Sequence, residues 1–473
     1  MKVCPRPALR DGESGNEHAC QTAHCTVVHR CRKAPPCAVS SAPFEIRPTT
    51  APWQPGGGSR PATRTAAVSA VRSNRRMSSD VPRRVADAVA SLRTNLADVN
   101  ALVRECSTLH DFSSDSDAND ELIASAGGIE AVLAAMRAHA ENAAMQEKGC
   151  FILSSVMTGS INHTNKARVV SADGIEVIVA GLRTHIAHAA VQQNGCSALW
   201  NLSVLNENLV LIASAGGIDA IVAGMRAHAA NEAVQTNGCG ALWNLSMLGA
   251  NLSLIASVGG IEAIVASMRA HTANAMVQNS GCGAINLLFF HDASRALVVS
   301  SGSIEAIVAG MRAHSANAKI QQSGCEALQN MASVPANRAL IASAGGIEAV
   351  VVGMRSQITD ADTQESACII LAALSSLDTQ RPLIVSAGGI EAVEAAMRAH
   401  PTVANITTWG QRAIEACASE TGIFETESCQ QCALIVQTND DVSFCLTYFA
   451  VCVYCLFFVF QKLPTLRNFF GKS

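Results

Sequence analysis

Seven cysteines fall on a grid. Cys106, Cys150, Cys196, Cys239, Cys282, Cys325 and Cys368 are separated by 44, 46, 43, 43, 43 and 43 residues. A period of 43 residues sustained this long admits few architectures. A copy of that length cannot bury an apolar face by itself, so neighbouring copies must stack and share a continuous core. The grid therefore fixes an array, and an array points to binding rather than catalysis.

The wording between the cysteines repeats as well. Gly-Gly-Ile followed by an acid occurs at Gly127–Glu130, Gly216–Asp219, Gly259–Glu262, Gly345–Glu348 and Gly388–Glu391. Two blurred copies stand at Asp173-Gly174-Ile175-Glu176 and Gly302-Ser303-Ile304-Glu305. A degenerate first copy begins near Val85, and the last copy holds Gln411 where the cysteine should be. The count is about eight repeats over residues 81–421.

Each copy reads as three helices. A short one over Leu209 to Ala215 ends in Gly-Gly, and glycine takes the left-handed conformation that closes a helix. A second runs from about Ile218 to His228, with Ile218, Ile221, Val222 and Met225 on one face. A third runs from about Glu232 to Ser246. The expected fold is all-α, a right-handed α-solenoid of about eight three-helix repeats.

The three-helix unit and the words GCSALWNLS and GCGALWNLS resemble armadillo repeats. The likeness covers residues 81–421. Within that class the GCxALWN wording is similar to the armadillo region of leucine-rich-repeat kinase 2 and related armadillo-repeat proteins. No GxxxxGK[ST] loop, HRD or DFG is present, so no kinase or GTPase chemistry is carried over.

A helical wheel divides the third helix. Val191, Gly195, Ala198, Leu199 and Leu202 share one side, the core side. Gln193, Asn194, Ser197, Trp200 and Asn201 fall opposite, with Cys196 on the flank between repeats. The Trp200 position reads His110, Ser154, Trp200, Trp243, Asn286, Gln329, Ala372 and Glu415 along the chain. The Asn201 position reads Asp111, Ser155, Asn201, Asn244, Leu287, Asn330, Ala373 and Ala416. Such variety suits a solvent-facing site.

In armadillo proteins the third helices line a concave groove that holds extended partner segments. The resemblance therefore implies that Trp200, Asn201, Trp243, Asn244, Gln329 and Asn330 face a groove and bind a partner. An amide can donate and accept, so it can pair with any partner's backbone. An exposed indole offers apolar area and one donor. The alternative for the indoles is packing against an adjacent repeat.

The importin-α pattern, which resembles this one in its ALxN words, places a tryptophan four residues before each ladder asparagine. Here Ser197, Gly240 and Glu326 occupy those positions, and Leu287 interrupts the ladder. The expected function is a non-enzymatic protein–protein interaction scaffold binding a protein or peptide segment. A transport or targeting receptor reading basic signals in cargo is the alternative. No HExxH, GxSxG, phosphate loop or paired-acid constellation argues for an enzyme, and no cofactor or metal is expected.

Charge is unevenly spread. The chain has 34 basic and 38 acidic side chains, of which residues 81–421 hold 19 and 29. An acidic array is a poor partner for nucleic acid and a good one for a basic peptide; the same charge also serves simple solubility. The grid cysteines lie about one helix-packing distance apart, roughly 8–10 Å, too far for disulfides, which need Cα atoms within about 7 Å. They are expected to be small apolar fillers in a reducing compartment. Arg-Ala-His recurs at the end of the second helix, from Arg137 to His139 through Arg398 to His400, where a cation answers the helix dipole.

The ends differ from the repeats. Residues 1–76 carry Cys4, Cys20, Cys25, Cys31 and Cys37 at spacings matching no zinc module, then a stretch rich in Pro, Ser, Thr, Ala and Arg that reads as disordered. It faintly resembles a transit peptide, although Asp11, Glu13 and Glu17 stand at its start. Met77 is an alternative start, which would make residues 1–76 a spurious extension. Beyond a linker at 422–442, residues 443–461 form a candidate transmembrane helix, with Phe444 to Phe460 uncharged and at the short limit for a span. A short basic tail follows at 462–473. The expected location is cytoplasmic, with the alternatives of anchoring through this segment or of a tail foreign to the repeats. Cys429 and Cys432 form an isolated CxxC.

Overall fold

The computed structural model describes residues 71–158 and 163–418. The expected segments 422–442, 443–461 and 462–473 and nearly all of 1–76 lie outside the described residues, as do Cys429 and Cys432. Every regular element described is helical. The first helix, Val71–Thr94, starts inside the stretch expected to be disordered, and with Val99–Asp115 it makes a two-helix repeat. Seven three-helix repeats follow, the last ending with the helix Ala404–Ala418. The helices stack as a right-handed α-solenoid, each third helix packed against the third helices of its neighbours.

One repeat shows the local logic. Its helices span Asn206–Ser214, Gly217–Ala227 and Glu232–Leu245. Between the first two, Gly216 sits at φ 77° and carries the chain through a sharp turn. That left-handed backbone excludes most side chains, and Asp173 is the sole non-glycine residue to adopt it among those described, at φ 52°. Asn231 caps the third helix by accepting from the amides of Ala233 and Val234, satisfying donors that a helix start leaves orphaned. Ile218, Ile221, Val222 and Met225 are all buried, as their spacing requires.

Polar ladders reinforce the stack. Gln235 Nε2 donates to Met225 O at 2.8 Å and His228 O at 3.0 Å, closing the end of the second helix onto the third. Gln146, Gln192, Gln278, Gln321 and Gln364 do the same in their repeats. The Arg-Ala-His words occupy the last turn of the second helix, but their hydrogen bonds cross between repeats. Arg226 Nη2 reaches forward to Gly259 O at 3.0 Å. His228 Nε2 reaches back to Ile186 O at 2.8 Å. Equivalent arginines run from Arg93 to Arg355, and equivalent histidines from His139 to His400.

The seven grid cysteines are free thiols and fully buried. Burial alone pushes the thiol of Cys196 up to about 12, because a thiolate loses its hydration there. Burial also raises Cys150, Cys239 and Cys282 to about 12.

Candidate partner-binding groove

The third helices form one continuous row, and the residues between neighbouring helices decide what the row presents. Four positions expected to face solvent do not. Trp200 and Trp243 are each 5% exposed, Asn201 is 5% and Asn244 is 0% exposed. Trp200 lies against the next repeat's third helix, where Gly240 admits it: a Cβ there would stand 2.4 Å from indole Cε2. Trp243 meets Gly283 in the same way, at 2.4 Å. The packing alternative is thus the one observed, and its cause is lateral contact along the row.

The same seam is filled differently elsewhere. Ser154 Oγ and Ser197 Oγ share a hydrogen bond of 2.7 Å. The rings of His110 and Phe151 are 3.8 Å apart at their centroids. A residue four after the cysteine therefore meets the residue one after the next cysteine. The variety read as exposure is pairwise matching across a seam.

The asparagines spend their amides within the chain. Asn201 Nδ2 donates to Ser154 O at 3.0 Å. Asn244 Nδ2 donates to Ser203 Oγ at 3.2 Å. Asn330 Nδ2 donates to Asn286 Oδ1 at 2.7 Å. Gln329 and Asn330 are half-buried and keep a face toward solvent.

About two turns before the Trp-Asn positions, a different set lines open space. A cavity of about 550 Å³ is bounded by Phe151, Ser155, Gln193, Asn194, Ser197, Glu232, Thr236, Asn237 and Asn274, drawn from four successive repeats. Asn194 Nδ2 donates to Glu147 O at 3.2 Å and Asn237 Nδ2 to Gln193 O at 2.9 Å. One amide hydrogen of each is thereby fixed within the chain. Asn274 Nδ2 donates to Glu232 Oε1 at 2.5 Å and to Thr236 Oγ1 at 3.2 Å. Gln193 and Asn194 thus lie on the open side that the helical wheel predicts for them.

Toward the C-terminal end the lining turns acidic. Gln322 Nε2 donates to Glu326 Oε1 at 3.2 Å and to Asp362 Oδ2 at 3.5 Å. Burial, with the nearby Asp362 and Asp360 carboxylates, holds the Glu326 carboxyl above the usual range, against the pull of the Gln322 bond. Among the described residues no group of three histidine, cysteine or acidic side chains could hold a metal ion. No single helix among them is long and apolar enough to cross a membrane, although four bent pairs of first and second helices reach that hydropathy together.

The geometry is that of an armadillo-type solenoid. The structure is similar to a solved one described as a phosphorylation switch controlling the interaction between cadherin and β-catenin, with a TM-score of 0.58 at 16% identity, covering 71% of this chain and 68% of that one. A designed armadillo repeat protein in complex with the peptide (KR)4 is also similar, with a TM-score of 0.43 at 16% identity over 52% of this chain and 98% of that one. No family profile and no curated relative matches the chain.

Proposed function

We propose that this protein is a non-enzymatic scaffold that holds a segment of another protein along the row of third helices. The observation that carries this reading is the cavity between Phe151 and Asn274, lined by amides and hydroxyls from successive repeats. Such groups can pair with a partner's backbone whatever its sequence. Gln193, Asn194, Thr236 and Asn237 are the contact residues. Gln329 and Asn330 offer further half-buried amides on the same row of helices, while Trp200, Asn201, Trp243 and Asn244 are buried between repeats. The GCGALWN wording supports a place beside the armadillo region of leucine-rich-repeat kinase 2.

The second reading, a receptor for basic signals, draws on Glu326 and Asp362 near the far end of the row. The two are separable with the full-length chain. Affinity capture should return a small set of proteins, and the same set should be lost from a Gln193→Ala/Asn194→Ala/Asn237→Ala variant whose helical content is intact. Unchanged capture by that variant would remove the groove from consideration. An alternating lysine–arginine octapeptide tests the receptor reading: tight binding abolished by Glu326→Gln/Asp362→Asn would favour it over the scaffold.

A further inference from the structure

The first helices carry a feature that the groove does not use. The residue five before each left-handed turn is Leu211, Leu254, Leu297, Leu340 and Leu383 in five successive repeats. Nine large apolar side chains are exposed among the described residues, and four lie on this one row: Leu211 at 42%, Leu254 at 37%, Leu340 at 42% and Leu383 at 43%; Val210 at 52% and Val385 at 40% are on the same first helices beside it. Leu297 is half-buried between them. The row ends on its N-terminal side at Arg168, which occupies the same position and pairs with Glu130 at 2.8 Å. Isolated exposed leucines need no explanation, but an aligned series marks a surface that is covered.

The topology says what is brought to it. In every repeat the third helix leads within a few residues into the next first helix, as from Leu374 to Asp378 and from Ala332 to Pro335. The last third helix, Ala404–Ala418, packs against Arg381–Ser386, which bears Leu383 and Val385. Ala418, the last described residue, therefore closes the helix that packs on the C-terminal end of the row. The sequence that follows contains the uncharged run Phe444–Phe460, FCLTYFAVCVYCLFFVF, which lies outside the described residues. Four steps between five stacked repeats span roughly 32–40 Å. Seventeen extended residues reach about 56 Å, so the run is long enough to follow the whole row.

We propose that the row from Leu211 to Leu383 is the docking surface for the chain's own Phe444–Phe460 segment. The inference is independent of the groove reading, since it concerns the first helices. Apolar surface from both sides leaves water together, and covalent connection makes the encounter intramolecular.

The full-length chain with the photoreactive p-benzoyl-phenylalanine in place of Leu340 provides the test. Leu340 is exposed, so the replacement leaves the core untouched. Irradiation should give within-chain crosslinks to residues 444–460, on a protein that sediments as a monomer. Phe457→Asp/Phe458→Asp in the same chain should abolish them. Amide hydrogen exchange of Pro335–Ser343 in the otherwise unmodified protein should become at least fivefold faster with Phe457→Asp/Phe458→Asp. Crosslinks joining two copies would overturn the proposal in favour of self-association. So would tail-dependent binding to phosphatidylcholine vesicles with exchange at Pro335–Ser343 unaffected by Phe457→Asp/Phe458→Asp, which would assign the segment to lipid. Absence of tail crosslinks with unchanged exchange overturns it as well.

Discussion

The indole of Trp200 rests on the α-carbon of Gly240, one repeat further along the chain, so closely that a Cβ there would stand 2.4 Å from Cε2. Gly240→Ala must therefore move the indole or spread the two third helices. Overpacking of this kind costs about 1–3 kcal/mol. Trp200→Ala leaves a cavity and costs about 3–5 kcal/mol. The two losses should not add: with the indole gone the alanine fits, so the double variant should be no less stable than Trp200→Ala alone. Chemical denaturation of the four proteins, treated as a double-mutant cycle, measures the coupling. Strict additivity would mean that the two residues are not in contact.

The turn between first and second helices is a separate source of stability. At Gly216, φ is 77° and an added Cβ would also meet the Arg183 guanidinium. Gly216→Ala should cost about 1–2 kcal/mol from the backbone alone. Asp173 occupies the equivalent turn at φ 52°, and its ion pair with Arg137 at 3.7 Å is largely solvated. Asp173→Gly should thus be neutral or stabilise by up to about 1 kcal/mol. Thermal melts should fall for Gly216→Ala and hold or rise for Asp173→Gly.

Cysteine chemistry reports on the seams. Burial pushes the grid thiols up to about 12 or beyond, and only a thiolate attacks alkylating agents. Iodoacetamide at pH 8 should leave Cys106 through Cys368 unmodified in the native protein and label all seven in denaturant, as read by peptide mass spectrometry. Rapid native labelling at one grid position would reveal a seam that opens.

Glu326 gives the acidic end of the row a pH signature. Its carboxyl titrates above the ordinary range because burial and then Asp362 and Asp360 disfavour the charge. The native state therefore holds a proton more tightly than the unfolded chain. This residue's contribution to stability grows as pH falls through its raised pKa and is lost as pH rises. Glu326→Gln should melt higher than the wild type at pH 7, with the gap closing as the pH is lowered toward 4. A gap that widened on acidification would contradict the sign.

The array was legible in the sequence because repetition gave the register directly. Gly216 and its counterparts marked the turn, and the Ile218–Met225 spacing marked the buried face. The Trp200 and Trp243 positions were misplaced because a helical wheel offers two faces, core and solvent. A third helix in a stack has further faces, toward the third helices before and after it. Residues there vary from repeat to repeat because they match one another: tryptophan with glycine, serine with serine, histidine with phenylalanine. The glycines at 240 and 283, each in the repeat after a tryptophan, held that information. The forward reach of Arg226 and the backward reach of His228 could not be read in the same way, since their acceptors are backbone carbonyls and leave no mark in the sequence.

Those backbone acceptors bear on how such an array can grow. A duplicated repeat inserted between two others would find a glycine carbonyl ahead and a loop carbonyl behind, since both ties ignore side-chain identity. The Trp200–Gly240 and Trp243–Gly283 seams are different, because each tryptophan needs a glycine in the repeat that follows. These central repeats can therefore not be reordered at will: a repeat bearing the tryptophan must be followed by one with glycine next to its cysteine, whereas the arginine and histidine ties impose no such match.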